Sequence, residues 1–189
     1  MQVRQTGLPG VVVIEPDIFA DSRGSFMETY NLETYRTLGL PLNFVQDNIA
    51  VSVQGVLRGL HLQNPHGQGK LVYVLDGEVF DVAVDVRRGS PEFGRFVTTM
   101  LSGENKHQLY IPTGFAHGYC VLSKTALLAY KCTEYYDPDS EMTIAWNDPQ
   151  IGIDWPIGSP QLSAKDEAGL TLSHMDPARL PVFDQGTAP

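Results

Sequence analysis

The chain has 189 residues, of which 42% are apolar and 19% charged, and it carries a formal net charge of −9. This length and composition are typical of one globular domain, which we predict to span residues 1–189. The acidic balance argues against a general affinity for nucleic acid or for anionic membranes, so an anionic ligand would need the few cationic side chains gathered at one site.

The N-terminal ten residues are polar, and the apolar run that follows at residues 11–14 is too short for a signal peptide or a membrane span. Cys120 and Cys132 lie in apolar, strand-like runs, and no CxxC motif occurs. We therefore predict two buried free thiols in a cytoplasmic protein.

Short apolar runs separated by Gly, Pro, Asn and Asp dominate the chain, a spacing typical of an antiparallel sandwich or barrel. The predicted strands cover residues 11–14, 44–53, 56–62, 71–75, 78–86, 95–101, 108–111, 116–122, 125–133 and 143–146. Asp76-Gly77 is a preferred two-residue turn, so the strands beside it are predicted to form a hairpin. The fold class that follows is all-β.

Helix signals are scarce. Asn31 is a good N-cap, Glu33 lies in the first turn, and Gly39 and Pro41 end the segment. A second short helix is predicted to begin at Ser163. From about residue 170 to residue 189 we predict a peripheral tail, or one packed on a partner.

One predicted strand has a polar face. Within residues 44–53, Gln46, Asn48, Ala50 and Ser52 share one side, and mostly apolar residues share the other. A polar inner face in a β-barrel indicates a ligand-sized cavity. The alternative is that this face is the solvent side of a sheet.

Residues 55–77 and 112–117 resemble the two motifs of the cupins, β-barrel proteins that often bind a metal through two His and a Glu from the first motif and a His from the second. Those four positions hold His61, Gln63, Lys70 and His117 here. A lysine ammonium has no lone pair for a metal, so the site is predicted to hold none. Lys70 could instead face a developing oxyanion and leave His61 free for proton transfer. Alternatively, His61 is a hydrogen-bonded core residue and Lys70 extends to water.

Longer blocks sharpen the resemblance. FADSRGSFMETY, QDN, GVLRGLHLQ, QGKLVYVLDGEVFDVAVDVRRGSPEFGRF, IPTGFAHGY, YKCTEYYDPDSE, IAWNDP, IDWP and LSAKD occur in this order, roughly within residues 5–170. Together they resemble the dTDP-4-dehydrorhamnose 3,5-epimerase family of metal-free cupins. The resemblance implies a cupin-type jelly roll with a few short helices and no cofactor. It also implies inversion of C3 and C5 beside the C4 ketone of a dTDP-sugar, through enolates, to make a precursor of dTDP-L-rhamnose.

The resemblance implies four catalytic residues. His61 is the base, Asp166 orients it, Tyr130 is the acid and Lys70 faces the oxyanion. Asp166 has a second interpretation, because Ser163 and Asp166 are spaced as a helix capping box. Tyr130 could likewise be an ordinary sheet tyrosine. Asp81 is expected to support Lys70 or His61, and Lys165 is a further supporting candidate.

The resemblance also implies nine substrate-binding residues, which are Phe19, Arg23, Phe26, Glu28, Gln46, Asn48, Arg58, His117 and Tyr136. The cationic members suit a diphosphate, the aromatic members surround thymine, and Glu28 lies near the deoxyribose. Strict strand alternation puts Arg58 and His61 on opposite faces, unless Gly59 permits a bulge. The family further implies a homodimer in which a segment within about residues 1–30 reaches the other subunit's site.

Three other functions remain open at this point. A related enzyme could invert only C3 or only C5, or isomerise the ketone. A cupin module could bind sugars without turnover, although a binder needs no acid opposite a base. A metal-dependent oxygenase is disfavoured by Gln63 and Lys70.

Overall fold

The computed structural model describes residues 1–40 and 43–184. Within these ranges the strands are β1 Gln2–Gln5, β2 Val12–Glu15, β3 Phe19–Asp21, β4 Gly24–Phe26, β5 Gln46–Val53, β6 Leu57–Gln63, β7 Lys70–Asp76, β8 Glu78–Asp85, β9 Phe96–Ser102, β10 Gln108–Ile111, β11 Phe115–Val121, β12 Thr125–Cys132 and β13 Glu141–Thr143. The helices are α1 Leu32–Thr37 and α2 Ala164–Glu167, and a 3-10 helix covers Leu172–His174. No helix in the described parts of the chain is long and apolar enough to cross a membrane.

Two antiparallel sheets form a sandwich. One has six strands in the order β1-β2-β10-β7-β12-β5, and the other has five in the order β13-β6-β11-β8-β9. Strands β3 and β4 pair with each other in a separate two-stranded hairpin. The predicted all-β fold with a few short helices is thereby confirmed.

The main hydrophobic core lies between the two sheets. Val72 and Leu128 of the six-stranded sheet pack in one cluster with Val79 and Val121 of the five-stranded sheet, and each is at most 1% exposed. A fully buried aliphatic side chain of this size stabilises the fold by about 1.5–3 kcal/mol. Alternation along each strand therefore places the apolar side chains on the inner face of each sheet, and these two inner faces pack together.

The turn at Asp76-Gly77 forms where predicted, but the hairpin prediction is wrong. Strand β7 pairs with β10 and β12, whereas β8 pairs with β11 and β9, so the turn carries the chain from one sheet to the other. Gly77 has φ 82°, and a Cβ there would lie 2.1 Å from the carbonyl oxygen of Thr125. This crowded corner accepts only glycine.

The outer face of the five-stranded sheet is covered by the C-terminal segment. Trp155, Leu172, Met175 and Leu180 are each at most 8% exposed and pack in a second core cluster. The prediction of a peripheral tail from about residue 170 is therefore wrong up to Leu180, because apolar side chains spaced along it bury against the sheet. Residues 185–189 of that tail lie outside the described residues.

Helix α1 covers the outer face of the six-stranded sheet with Tyr35, which is fully buried. Asn31 caps it as predicted, its Oδ1 accepting hydrogen bonds from the Glu33 and Thr34 amides. Gly39 ends it at φ 76°, and the predicted terminator Pro41 lies outside the described residues. Strands β1, β3 and β4 were not predicted, since they are short and their side chains are mostly exposed.

Candidate active site

A cavity of about 380 Å³ opens between the two sheets. Nine of the predicted site residues line it, and they are Gln46, Asn48, Arg58, His61, Lys70, His117, Tyr130, Tyr136 and Lys165. They come from strands of both sheets, from the loop that holds Tyr136 and from helix α2, which holds Lys165. The fold thus gathers residues that are up to 119 positions apart, between Gln46 and Lys165.

Strand β5 contributes a polar inner face, as predicted. Gln46, Asn48 and Ala50 line the cavity, and Ser52 is buried and accepts a hydrogen bond from Arg58 Nε at 3.2 Å. The alternative of a solvent-facing polar side is wrong, because it is the opposite, apolar face of this strand that is exposed.

A bulge places Arg58 and His61 on the same side. Strand β6 pairs His61 with His117 and Arg58 with Tyr119, so three steps along β6 match two along β11. Gly59 occupies the bulge at φ 129°, where a Cβ would lie 2.5 Å from the Cα of Gly118. Both side chains therefore line the cavity.

Asp166 binds His61 and also bonds to Ser163, the N-cap residue of helix α2. Its Oδ1 lies 2.6 Å from His61 Nε2 and accepts from the Gly59 amide at 3.2 Å. Its Oδ2 accepts from Ser163 Oγ at 2.6 Å, and its own amide donates to Ser163 Oγ at 3.2 Å. Both interpretations of this residue are therefore present in one structure.

The protonation states follow from burial and from these bonds. Burial opposes the Asp166 carboxylate, but hydrogen bonds from His61 and Ser163 outweigh it and lower the pKa to about 2. Burial lowers the pKa of His61 below 6.5, although Asp166 opposes that shift. At neutral pH His61 is thus neutral, with Nε2–H donated to the carboxylate and the Nδ1 lone pair free.

Lys70 and Tyr130 bring a cation and a proton donor to the same cavity. Burial lowers the pKa of Lys70, whereas Cys132 and Glu141 nearby oppose that change. Burial raises the pKa of Tyr130 to about 12. Within the described residues, neither the Lys70 ammonium nor the Tyr130 hydroxyl has a hydrogen-bond or ion-pair partner, so both are available to a ligand.

Asp81 makes hydrogen bonds to His117, a partner that was not predicted. Both its carboxylate oxygens lie 3.0 Å from His117 Nε2, and both side chains are buried. Burial raises the pKa of Asp81, while His117 and Lys70 oppose that rise. The negative charge of Asp81 also raises the pKa of Lys70 against the larger effect of burial, which agrees with the expected support of Lys70, whereas its hydrogen bonds go to His117, two register positions away across the β8–β11 pair.

Glu141 organises the rim of the cavity and was missed from the sequence. Its Oε1 pairs with Lys165 Nζ at 2.8 Å, and its Oε2 accepts from the Tyr136 hydroxyl at 3.0 Å. Lys165 therefore lines the cavity with its ammonium paired to this carboxylate. Glu141 starts a short strand after a turn-rich loop, and only its pairing with Gln63 across β13 and β6 brings it to the cavity.

Two further lining residues were missed, Gln68 and Tyr119. Tyr119 follows His117 by two positions on β11, so strand alternation was a usable signal. Its buried hydroxyl lies near Ser52 and Arg58 without a hydrogen bond of good geometry to any described residue.

Four predicted residues lie away from this cavity within the chain. Phe19 and Phe26 are 64% and 70% exposed on the β3–β4 hairpin, where Arg23 pairs with Asp21 at 2.6 Å. Glu28 is exposed and accepts a hydrogen bond from Asn31 Nδ2 at 3.2 Å. None of the four is among the described residues that line the cavity.

The chain resembles known proteins over almost its whole length. The family model described as dTDP-4-dehydrorhamnose 3,5-epimerase matches residues 5–174. A protein of that name from Salmonella typhimurium is 54% identical over 175 residues, which cover 91% of this chain and 96% of the relative. Another from Neisseria gonorrhoeae is 48% identical over 190 residues, covering 100% of this chain, which spans only 58% of that relative's length.

A solved structure shows the same architecture with a ligand. The dTDP-6-deoxy-D-glucose-3,5-epimerase from Legionella pneumophila, in complex with dTDP-4-keto-L-rhamnose, has a TM-score of 0.95 and 52% sequence identity to this chain. The match covers 97% of this chain and 98% of the other.

Proposed function

The chain belongs to the dTDP-4-dehydrorhamnose 3,5-epimerase family, an isomerase family, and from this premise we propose that it inverts C3 and C5 of dTDP-4-dehydro-6-deoxy-D-glucose. The product would be dTDP-4-dehydro-L-rhamnose, a precursor of dTDP-L-rhamnose. One observation carries the proposal: His61, bound to the Asp166 carboxylate, lines the same cavity as Lys70 and Tyr130, whose polar groups have no partner in residues 1–40 and 43–184.

The first step is removal of a proton beside the ketone. His61 Nδ1 takes the proton from C3 or C5, and the electrons of the C–H bond move to the C4 oxygen as an enolate. Asp166 stabilises the imidazolium that forms and fixes its tautomer. Lys70 stabilises the negative charge on the oxygen, and its partial burial strengthens that attraction.

The second step returns a proton to the opposite face of the ring. The Tyr130 hydroxyl donates it, the enolate collapses to the ketone, and the configuration of the carbon is inverted. With a pKa raised to about 12, Tyr130 keeps its proton until the enolate demands it. Return of the proton from His61 to Tyr130 through solvent restores both groups.

The nucleotide is held at the cationic part of the cavity. Arg58 lies on the β6 bulge, and His117, held by Asp81, lies on the paired strand β11. Arg58 and His117 would therefore contact a diphosphate from the same side of the cavity. Gln46 and Asn48 line the opposite wall on β5, where they suit the sugar or the phosphates. A local cationic cluster explains how a chain of net charge −9 binds an anionic ligand.

We further propose that two copies form a dimer in which the β3–β4 hairpin covers the partner's cavity. Strand β5 is an edge strand that exposes Ile49 and Val51 at 67% and 69%, and an exposed apolar edge favours pairing. Phe19, Arg23 and Phe26 are exposed on the hairpin and would then serve the neighbouring site.

Sedimentation and complementation test the dimer. Ile49→Lys should yield monomers of low activity, whereas Leu170→Lys, at another exposed apolar residue, should leave the dimer intact. Mixing inactive His61→Ala with weakened Arg23→Ala should restore activity, because one mixed site then has both residues. A monomeric wild type, or a mixture without restored activity, would contradict the arrangement.

Deuterium exchange tests the reaction itself. The protein is incubated with the keto-sugar nucleotide in D2O, and NMR follows the hydrogens at C3 and C5. Exchange at both carbons is expected, His61→Ala should abolish it, and His174→Ala, at an exposed histidine outside the cavity, should not. Exchange at one carbon would indicate a single-carbon epimerase, and no exchange by folded protein would refute the enzyme.

A further inference from the structure

Gln63 ends strand β6 at a position where metal-binding cupins carry a histidine. It is 5% exposed and lies in the wall between the main cavity and a second one of about 340 Å³. A buried amide needs hydrogen-bond partners. The partners that Gln63 finds show what the position does in this protein.

All three hydrogen bonds of the Gln63 side chain go to the backbone of two loops. We call these the mouth loops, residues 64–69 between β6 and β7 and residues 133–140 between β12 and β13. Nε2 donates to the carbonyl of His66 at 2.8 Å and to that of Tyr135 at 3.2 Å. Oε1 accepts from the Asp137 amide at 3.1 Å. Both amide hydrogens are thus used, and none is left to donate to a substrate.

The bonds from Gln63 flank Tyr136, which stands at the mouth of the cavity. Tyr136 is 52% exposed, and its amide donates to Gln46 Oε1 at 2.8 Å while its hydroxyl donates to Glu141 Oε2 at 3.0 Å. Glu141 in turn pairs with Gln63 in the β6–β13 register. Tyr136, although half-exposed, is therefore held by hydrogen bonds at its backbone amide and at its hydroxyl.

We infer that Gln63 is a positioning residue for substrate binding, whose amide clamps both mouth loops and holds Tyr136 in place before a ligand arrives. The inference rests on the proposed function only in taking the nucleotide sugar as the ligand that passes the mouth. A rim ordered in advance lowers the entropy lost on binding. The position that would supply a metal ligand in other cupins here orders the entrance.

Gln63→Glu tests the clamp with an almost unchanged shape. The carboxylate still accepts from Asp137, but it cannot donate to the carbonyls of His66 and Tyr135 and repels both. We expect KM and the Kd for dTDP to rise about tenfold, kcat to stay within about twofold, and amide hydrogen exchange in residues 133–140 to accelerate. Gln54→Glu is the matched control, because Gln54 donates to the carbonyl of Leu122 at 2.7 Å outside the cavity.

Each result decides the inference. Unchanged amide exchange in residues 133–140, or unchanged KM and Kd despite faster exchange, would overturn it. A tenfold loss of kcat at constant KM would also overturn it, by placing Gln63 in the chemistry. If Gln63→Glu does not fold, the same measurements apply to the uncharged Gln63→Met. If the wild type proves inactive and does not bind dTDP, the proposed function fails, and amide exchange still decides whether Gln63 holds the loops.

Discussion

Replacing Asp166 by Asn should separate the charge of this residue from its shape. Asparagine can still accept from the Gly59 amide, and its backbone amide can still donate to the Ser163 hydroxyl that caps helix α2, so the local geometry should persist. It removes the negative charge 2.6 Å from His61 Nε2. His61, the proposed base, then loses the carboxylate that would stabilise its protonated form.

The size of the effect follows from the pKa of Asp166. That pKa falls from 3.8 to about 2 in the folded protein, which corresponds to about 2.5 kcal/mol in favour of the carboxylate at about 1.36 kcal/mol per pKa unit. His61 contributes more to this shift than Ser163 or Gly59 does, and the same attraction would stabilise the imidazolium proposed to form during proton removal. Its loss should raise the barrier by up to about 2.5 kcal/mol, which is a fall in kcat of about 60-fold.

Because the folded state lowers the pKa of Asp166, this carboxylate contributes to the free energy of unfolding at neutral pH but not at very low pH. The contribution of Asp166 is fully present above the unfolded value of 3.8 and is lost as the pH falls through about 2. Asp166→Asn should therefore lower the free energy of unfolding at pH 7 by up to about 2.5 kcal/mol and lose less at pH 2. Urea unfolding at both pH values measures this.

The assay is the rate of deuterium incorporation at saturating substrate, with Asp148→Asn as the control. Asp148 is a 2% exposed carboxylate outside the cavity that accepts from the amides of Gln150, Ile151 and Leu172. Its replacement should lower stability and leave kcat unchanged. A folded Asp166→Asn enzyme with kcat within about threefold of the wild type would refute the reasoning, as would an equal loss of kcat in the control.

The other predictions concern the remaining groups that are proposed to be catalytic. Lys70→Met should lower kcat by about 10²–10³-fold, the usual effect of removing an oxyanion donor, and a loss below tenfold would count against its role. Tyr130→Phe should slow reprotonation more than proton removal, so that solvent exchange outpaces epimerised product; equal slowing would contradict the assignment. Since burial lowers the pKa of His61, kcat/KM should rise with increasing pH around a midpoint below 6.5. Burial also lowers the pKa of Lys70, so kcat/KM should fall again at high pH, with a midpoint below 10.5. Lys70→Arg should move the alkaline limb upward, because arginine keeps its charge, and an unmoved limb would exclude Lys70 as its source.

Motif positions and strand alternation predicted cavity residues on four strands of the two sheets. His61, Lys70 and His117 occupy motif positions on β6, β7 and β11, and the polar positions of β5 follow from alternation with period two. The β5 inference depends on local geometry, which a strand imposes wherever it forms, whereas His61, Lys70 and His117 were inferred from resemblance to the cupin motifs. These residues line the cavity although β7 and β8 belong to different sheets.

Contacts between distant segments were beyond reach of spacing. Asp166 meets His61 across 105 positions, and Glu141 reaches the rim only because β13 pairs with the end of β6. Packing decides to which sheet each strand belongs. The Asp76-Gly77 sequence therefore predicted the turn but not the pairing partners of the strands on either side of it. The buried C-terminal segment shows the same limit, because its apolar residues have no strand or helix period.

Gly59 takes part both in the local geometry of β6 and in a contact with a distant segment of the chain. Without the bulge, Arg58 would point away from His61, and the cationic side chain would lie outside the cavity. The amide of Gly59 also donates to Asp166, so the residue that turns Arg58 inward helps to hold the carboxylate behind the base. A Cβ at this position would meet the backbone of Gly118 at 2.5 Å and force the β6 and β11 strands apart. The proposed diphosphate side and the proposed proton-transfer side of the site therefore depend on the same close approach of two strands.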